Sequence, residues 1–436
     1  MLVKRRTSLL SISAVVLFGF VSQVCHAELT PKSHISVAGI DVQSEVGAEY
    51  GQDSNVTYQV NPMNEIASAY TKLTPYLRAV GERGEDRYVL VYSGDYSRYD
   101  SASDDDYTDH FLMFRSSLRF GLKHGLDWFI QQDWGHEERG TELTEGFNPT
   151  QFTSFGVNTP LQNRFLNSEI RYSYGAPEGR GKLDLAWQVK DIAFDELDEV
   201  QSASSDFYHY IKEQEWNENT ITAELFDQYS SRTRFRYSLI SNLRSYEANS
   251  AKDSSEHYAL IGLKSQRTGK LLIETDLAWL YKRFPNNREA QSFSGLNWDA
   301  NINWQPLKHS KWSLYGWRRV KDPTEEGGYI LNTKVGLSWE HHWWVERLST
   351  TVDYGREVDD YRVEQNDRKD DLDVASVTLG YDFRPSIRLE LNYQFARKRS
   401  SEDEVVFFIG DNSQSSVSRK LGYDKNTIGL ALKVQI

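Results

Sequence analysis

Two histidine-containing stretches carry the side chains that come nearest to a metal site. The first, His136-Glu137-Glu138-Arg139, begins like the zinc-protease signature but lacks the second histidine that such a helix requires, and it lies where a strand passes into a loop. In the second, His341 and His342 are adjacent. Adjacent side chains on a strand point to opposite faces, and the sequence suggests no third ligand. We therefore expect no metal site.

A set of residues for covalent catalysis is not evident either. A hydrolase needs a nucleophile or a water molecule activated by a base, and no Gly-x-Ser-x-Gly stretch stands out. The acidic runs Asp104-Asp105-Asp106 and Asp370-Asp371 fall in expected external loops, where we expect them to be solvated. Contacts with cations or lipopolysaccharide are the alternative for these runs. The sequence predicts neither an enzyme nor a cofactor.

The start of the chain has the pattern of a secretory signal peptide. Three basic residues at positions 4–6 precede an apolar stretch at 9–24, and Cys25-His26-Ala27 offers a small-x-small cleavage site. An uncleaved anchor helix is the alternative. Cys25 is the single cysteine, so cleavage would leave no disulfide framework. We divide the chain into a signal peptide (1–27), a periplasmic lead-in (28–40) and a barrel (41–436).

Composition narrows the class of protein. The 436 residues carry a formal net charge of −13, which argues against a nucleic-acid partner. Aromatic residues make up 13% of the chain, with 12 Trp and 25 Tyr, and no apolar run long enough for a membrane helix follows the signal. A polar average combined with alternating apolar residues and many Trp and Tyr is typical of a membrane β-barrel with a polar lumen.

The stretch 374–395 shows the pattern most clearly. Alternate residues from Ala375 to Phe383 are apolar, and after a turn at Arg384-Pro385-Ser386 alternate residues from Ile387 to Phe395 are apolar again. The residues between them are polar or small. Two strands of about ten residues joined by a tight turn suit a membrane-crossing hairpin better than a soluble sandwich, whose strands average about five or six residues.

Counting such segments gives the fold class: all-β, a transmembrane antiparallel up-and-down barrel of about eighteen strands, with sixteen as the alternative. Every second connection is short, and the others are mostly long and polar, notably 136–163, 194–215, 356–371 and 398–424. Short turns at one end and long loops at the other are typical of the outer membrane of a Gram-negative cell. An even number of strands places both termini in the periplasm. The last segment, 425–436, would close the ring against the first, 41–51.

Six stretches, taken in their order and spacing, resemble one family of bacterial outer-membrane proteins, "Putative beta-barrel porin 2". They are YGQDSN (50–55), LTPYLR (73–78), GHEERG (135–140), YGAPEGRGKLDL (174–185), WQP (304–306) and YDKNTIGLAL (423–432). The resemblance implies a large barrel encoded together with exopolysaccharide or capsule export systems. It also makes a periplasmic polysaccharide-export protein a candidate partner.

The lumen is where we expect function, because eighteen strands enclose an aqueous channel. Charge pairing between strands is the alternative to a ligand-binding role for any inward charge. The predicted inward residues are of mixed charge: Arg234, Arg236, Glu274, Asp276, Lys334, Glu340, Arg347, Asp353, Asp382, Arg388, Glu390 and Asn392.

We therefore expect a monomeric outer-membrane channel that takes part in export of exopolysaccharide or capsular polysaccharide. Its expected partners are outer-membrane lipid, lipopolysaccharide and the polysaccharide itself. A passive uptake porin for oligosaccharides or small solutes is the alternative function. An outer-membrane hydrolase and an adhesin are more distant alternatives.

Overall fold

The computed structural model describes residues 35–37, 39–176, 179–324, 327–343, 347–363, 368–409 and 415–435. The expected signal peptide and most of the expected lead-in lie outside these ranges. Within the lead-in, strand β1 (Ile35–Val37) pairs with the start of the first barrel strand, Val37 opposite Ile40. In the described part of the chain, no helix has the length and apolar character needed to cross a membrane.

Eighteen long antiparallel strands of the described residues form a closed barrel. Each pairs with its neighbours in chain order, and the last strand pairs with both the first and the seventeenth, so the ring has no free edge. The predicted fold class and the count of eighteen are confirmed. The strands are β2 (Ile40–Asp53), β3 (Ser68–Arg83), β4 (Asp86–Tyr99), β5 (Tyr107–Phe120), β6 (His124–Glu137), β7 (Leu161–Tyr174), β8 (Gly181–Phe194), β9 (Trp216–Ser230), β10 (Thr233–Tyr246), β11 (Ser254–Arg267), β12 (Leu271–Arg283), β13 (Phe293–Leu307), β14 (Ser310–Lys321), β15 (Gly328–His342), β16 (Leu348–Val363), β17 (Lys369–Arg384), β18 (Ile387–Ser400) and β21 (Tyr423–Gln435).

Alternation of side chains explains why these segments are barrel strands. On β12, Leu277, Trp279 and Tyr281 are exposed, whereas Ala278 and Leu280 between them are buried. Exposed apolar side chains recur along the outside of the ring at this period of two, as a lipid-facing surface requires. The outer face of the strands therefore contacts lipid, and the opposite face lines the lumen.

The connections alternate between short turns and longer loops, as predicted. Three of the short turns, at residues 84–85, 121–123 and 268–270, contain a glycine with positive φ, as tight hairpin turns favour. The prediction of a long loop at 356–371 is wrong. β16 continues to Val363 and β17 begins at Lys369, with Asp359 opposite Asp370. Lys321 lies 3.5 Å from Asp359, and Arg368 lies 3.3 Å from Asp370, so basic residues offset the facing carboxylates.

The long loops contain structure that the sequence analysis did not predict. Three short helices, α1 (Pro149–Ser154), α2 (Asp198–Ala203) and α3 (Ser205–Lys212), and a hairpin of β19 (Glu404–Ile409) and β20 (Ser415–Lys420) pack together. We call their buried apolar side chains the loop core. Its members are Leu143, Phe147, Phe152, Val157, Leu161, Phe194, Leu197, Val200, Phe207, Tyr210, Ile211, Phe407, Ile409 and Val417.

Candidate functional site

Eleven of the twelve predicted inward residues lie on the strand face opposite the exposed apolar side chains. They are spread over β10, β12, β15, β16, β17 and β18 and do not converge on one point. The twelfth, Arg347, is misplaced in the prediction: it precedes the first residue of β16 and is exposed in a short turn. The strand begins later than its sequence pattern suggests, because Leu348 is its first residue to pair with β17.

Most charges of this lumen wall are paired with charges on nearby strands. Arg236 lies 2.8 Å from Asp276 and 3.6 Å from Glu224. Arg388 contacts both Asp382 and Glu390 at 2.7 Å. These pairs lie within one strand or join neighbouring or next-neighbouring strands, and they leave both signs of charge distributed along the wall.

Inward-facing glycines make room for pairs that bridge over a whole strand. Arg236 on β10 reaches Asp276 on β12 across Gly262 of β11. A Cβ at position 262 would lie 2.3 Å from the Asp276 carboxylate. The Tyr315 hydroxyl likewise donates to Asp353 at 3.0 Å across β15, and a Cβ at Gly336 would lie 2.2 Å from its ring. These glycines therefore hold the wall pairs in register.

One sector of the wall is apolar, which the sequence analysis missed. Val89 and Val91 of β4, Phe111 and Met113 of β5, and Phe129 of β6 share the inward face, with Met113 opposite Val91. We call these five residues the wall patch. The signal was present in the sequence, since FLMF (111–114) and WFI (128–130) are apolar on both faces. Arg115 of β5 lies beside the patch, opposite Val89 of β4 on one side and opposite Phe129 of β6 on the other.

At the end of the long loops, a stretch following β6 crosses the barrel mouth. We call residues 138–146 the mouth segment. Arg139 donates two hydrogen bonds of 2.7 Å to Asp105 in the β4–β5 connection. Further along, Glu145 is ion-paired with Lys398 of β18 and lies 3.9 Å from Arg368. The mouth segment is thus anchored both to the β4–β5 connection and to β18, which are separated in the ring by β21, β2 and β3.

These contacts correct the expectation that both acidic runs are solvated. Asp105 is 4% exposed and Asp370 is 3% exposed. Asp105 is buried against Arg139, and Asp370 lies beside Arg368 and Lys398. A carboxylate that loses water in this way needs a basic or hydrogen-bonding partner. Sequence alone could not reveal the partners Arg139 and Lys398, which lie 34 and 28 positions from Asp105 and Asp370.

Two carboxylates of the mouth segment have opposite pKa shifts. Burial would raise the pKa of Glu145, but Lys398 and Arg368 hold it below its ordinary value. Burial raises the pKa of Glu142, and Lys321 and Lys398 offset this only in part. The Glu142 backbone also adopts φ of 42°, an uncommon value for a residue other than glycine. Glu142 is therefore a strained, desolvated acid within the mouth.

A second set of buried charges fastens the β14–β15 connection to the same end of the barrel. Arg244 of β10 lies 2.7 Å from Glu218 and is also ion-paired with Asp322, which in turn pairs with Lys282. Burial would raise the pKa of Asp322, but Lys282 and Arg244 hold it below its ordinary value. With Lys190 and Glu256, the set of charged residues around this loop carboxylate comes from five strands, β8 to β12.

Three of the stretches singled out in the sequence meet at this end of the barrel. Asp53, from YGQDSN, lies 2.9 Å from Lys425, from YDKNTIGLAL. Lys425 stands 3.8 Å above the Tyr58 ring, and the Tyr58 hydroxyl donates to Glu138 of GHEERG. At Gly140 an added Cβ would lie 2.0 Å from the Thr57 carbonyl oxygen. These motifs join the closing strand, the β2–β3 loop and the mouth segment.

The histidines considered for metal binding have other contacts. His136 lies 2.8 Å from Asp109 and stacks on Tyr107. His342 lies 3.0 Å from Glu340, whereas the His341 ring contacts Trp343. Within the described ranges, no group of three or more His, Cys, Asp or Glu side chains could hold a metal ion.

Comparison with known proteins adds a family. The sequence model of the family described as "Putative beta-barrel porin 2" matches residues 41–409. No curated protein sequence matches the chain.

Solved structures with a similar fold are distant in sequence. Pseudomonas aeruginosa OccK2 (OpdF) aligns with a TM-score of 0.49 and 10% identity, over 91% of this chain and 98% of that chain. A BenF-like porin from Pseudomonas fluorescens Pf-5 aligns with a TM-score of 0.46 and 10% identity, over 91% and 99%. The FrpB iron transporter from Neisseria meningitidis (F5-1 variant) aligns with a TM-score of 0.45 and 10% identity, over 91% and 83%.

Proposed function

The chain belongs to the family described as "Putative beta-barrel porin 2", and we propose that this outer-membrane porin-type channel takes part in the export of polysaccharide. Its long-loop end would face the cell exterior, and both termini would lie in the periplasm. The direction of transport comes from the resemblance of the sequence motifs to a family associated with exopolysaccharide and capsule export.

The observation that carries the proposal is the pairing of charges along the lumen wall. Arg236 with Asp276, and Lys264 with Glu274, present donors and acceptors side by side. Because opposite charges alternate, the wall has no strong field of one sign to select an ion. It can instead exchange many weak hydrogen bonds with the hydroxyl groups of a sugar chain, which suits a substrate that must keep moving.

The wall patch supports a sugar substrate for a second reason. Sugar rings have an apolar face of C–H groups, and the side chains of Phe111, Met113 and Phe129 offer an apolar surface inside an otherwise polar lumen. Apolar surfaces that meet in water gain free energy roughly in proportion to the area they bury. A small ion or a fully solvated solute would gain nothing from this patch.

Passage of a polymer requires the mouth segment to move. The ion pairs of Arg139 with Asp105 and of Glu145 with Lys398 tie it to the β4–β5 connection and to β18. We propose that these pairs hold the channel closed until transport begins, since an uncontrolled wide pore would admit harmful solutes. The loop core, which packs against the same segment through Leu143 and Phe147, would move with it.

The test is deletion of the gene in a strain that makes the polysaccharide, with wild-type complementation. We expect surface polysaccharide to fall sharply in the deletion strain and to return on complementation, while growth on individual sugars is unchanged. Normal surface polysaccharide combined with poor growth on an oligosaccharide would establish the uptake porin instead. Loss of both would indicate a general defect of the outer membrane, which a dye-permeability measurement would identify.

A further inference from the structure

We infer that the long-loop end carries a saccharide-binding subsite, separate from the lumen wall, in a cavity of about 220 Å³. The inference rests on the proposed function and adds a place where the emerging chain is held. The β2–β3 loop, the mouth segment with α1, and the β19–β20 hairpin enclose it. Its lining is Tyr58, Gln59, Val60, Asn61, Asn64, Gly146, Phe147, Asn148, Gln151, Glu404, Ser418 and Lys420.

The chemistry of the lining points to hydroxyl groups as the ligand. Five side-chain amides, one carboxylate, two hydroxyls and one ammonium group belong to the lining residues. A side-chain amide offers a donor and an acceptor in one plane, which matches two neighbouring hydroxyls of a sugar ring. Glu404 and Lys420 balance each other in charge, so the cavity favours a neutral sugar over an ion.

The cavity is built from fixed parts. Gln59 donates to the carbonyl oxygens of Thr57 at 3.0 Å and Phe147 at 2.9 Å. Gln151 donates to the Ser418 carbonyl oxygen at 2.6 Å, which ties α1 to the hairpin. At Gly146, an added Cβ would lie 2.7 Å from the Lys420 carbonyl oxygen. Three loops distant in sequence therefore share one preorganised wall, and preorganisation reduces the entropy lost on binding.

Two lining residues have hydrogen-bonding capacity left for a ligand. Across the described ranges, the side chains of Asn64 and Lys420 make no hydrogen bond or ion pair within the protein. Asn64 is half-buried at the end of a 3₁₀ turn, and Lys420 is exposed at the end of β20. They belong to different loops, so a ligand that contacts both would bridge the β2–β3 loop to the hairpin.

Size and position favour one unit of a longer chain. Pockets that enclose a whole drug-sized ligand measure about 300–1,000 Å³, and this cavity is smaller at about 220 Å³ and open on one side. It also adjoins the mouth segment at Gly146, the last residue of that segment. A polymer leaving the lumen past a displaced mouth segment would reach it next.

The test is binding of oligosaccharides released by partial acid hydrolysis from the producing strain's own surface polysaccharide. Full-length protein in detergent is titrated by calorimetry and by saturation-transfer NMR. We expect wild type to bind them and the double variant Asn64→Ala/Lys420→Ala to bind at least tenfold more weakly. Met63→Ala and Glu402→Ala, on the same two loops but outside the lining, are the matched controls and should bind as wild type does.

Heat-modifiable gel migration checks that each variant is folded. Binding that is equal in wild type and in the folded double variant would overturn the subsite, and so would absence of binding to wild type. Neither result would bear on the proposed function, which is tested by the amount of surface polysaccharide in the deletion strain. Conversely, normal surface polysaccharide on deletion, with binding still lost in the double variant, would place the subsite on an uptake porin.

Discussion

The lumen wall and the mouth use charged residues in different ways. Wall pairs such as Lys264 with Glu274 join adjacent strands and stay partly exposed, with the Lys264 side chain 46% exposed. The wall pair of Arg388 with Glu390, both on β18, is an exception, with side chains 3% and 0% exposed. Mouth pairs such as Arg368 with Asp370 are almost fully buried, at 2% for each side chain. The mouth also joins elements that are distant in the chain, since Glu145 and Lys398 are 253 residues apart.

The difference shows which ion pairs hold the structure in place, and we call the buried pairs of the mouth its locks. A partly exposed pair exchanges contacts with water and contributes about 0–1 kcal/mol. Removing one partner of a buried pair leaves an uncompensated charge and costs about 3–5 kcal/mol. The wall can therefore change its partners as a substrate passes, whereas the mouth is held by contacts that must break together.

The largest effect is expected from removing a lock. Lys398→Met leaves both Glu145 and Asp370 without their lysine, and we expect the mouth to be destabilised by about 3–5 kcal/mol. Hydrogen exchange over residues 138–146 should accelerate accordingly, and conductance in planar bilayers should rise. Lys264→Met in the wall is the matched change, and it should change the opening free energy measured by hydrogen exchange by no more than about 1 kcal/mol. Equal effects would remove the distinction between mouth and wall.

A slightly smaller effect separates the two faces of the wall itself. Leu391 of β18 is exposed on the lipid side, whereas Ser376 of β17 faces inward opposite Asp353. Leu391→Arg should cost roughly 2–4 kcal/mol near the membrane centre. Ser376→Arg should cost far less, because the lumen contains water and the carboxylate of Asp353 lies opposite. Denaturant titration of refolded protein in lipid vesicles measures both, and similar losses would contradict the assignment of faces.

The mouth should respond to pH in two stages. The pKa of Glu145 is lowered in the folded mouth, so its stabilisation is present above the ordinary glutamate value of about 4.3 and is lost as the pH falls through the lowered value. The pKa of Glu142 is raised, so its charge destabilises the mouth at neutral pH and protonation relieves this first.

We therefore expect conductance to fall on mild acidification and to rise again below about pH 4. Glu142→Gln should abolish the first stage and keep the second. Bilayer recordings across this pH range decide the matter, and a conductance that rises steadily from neutral pH would contradict the assignment of the two carboxylates.

The smallest effect concerns the wall charges singly. Arg236→Ala should shift ion selectivity modestly while leaving export nearly intact, because many weak contacts contribute to export. Arg347→Ala should have little effect on selectivity, since Arg347 lies in a short turn outside the strands. Reversal potentials in a salt gradient measure these shifts. Loss of all export from a single wall change in a folded barrel would indicate a discrete binding site instead.

Most of the barrel was predictable from sequence because apolar and polar side chains alternate with a period of two along most of its strands. The inward faces of β17 and β18 follow directly from residues 374–395. The glycine bridges were not predictable, since nothing local to Gly262 indicates that Arg236 and Asp276 meet above it. The wall patch was overlooked because runs such as FLMF have no polar face to reveal which side is inward.

The loop structure was the least predictable part. Helices of six to eight residues carry weak patterns, and the loop core joins residues such as Phe147 and Phe407 that are far apart in the chain. The burial of Asp105 depends on Arg139, which sequence patterns place in another loop. Long-range packing and charge pairing, not local propensity, decide these positions.

The most direct test of the account uses proteoliposomes loaded with labelled fragments of the strain's own polysaccharide. Lys398→Met protein, with its mouth released, should let the fragments escape faster than wild type does, and protein-free liposomes should retain them. Ion conductance measured on the same preparation shows that the channels are open. Retention of the fragments in liposomes whose channels conduct ions would contradict a polysaccharide channel.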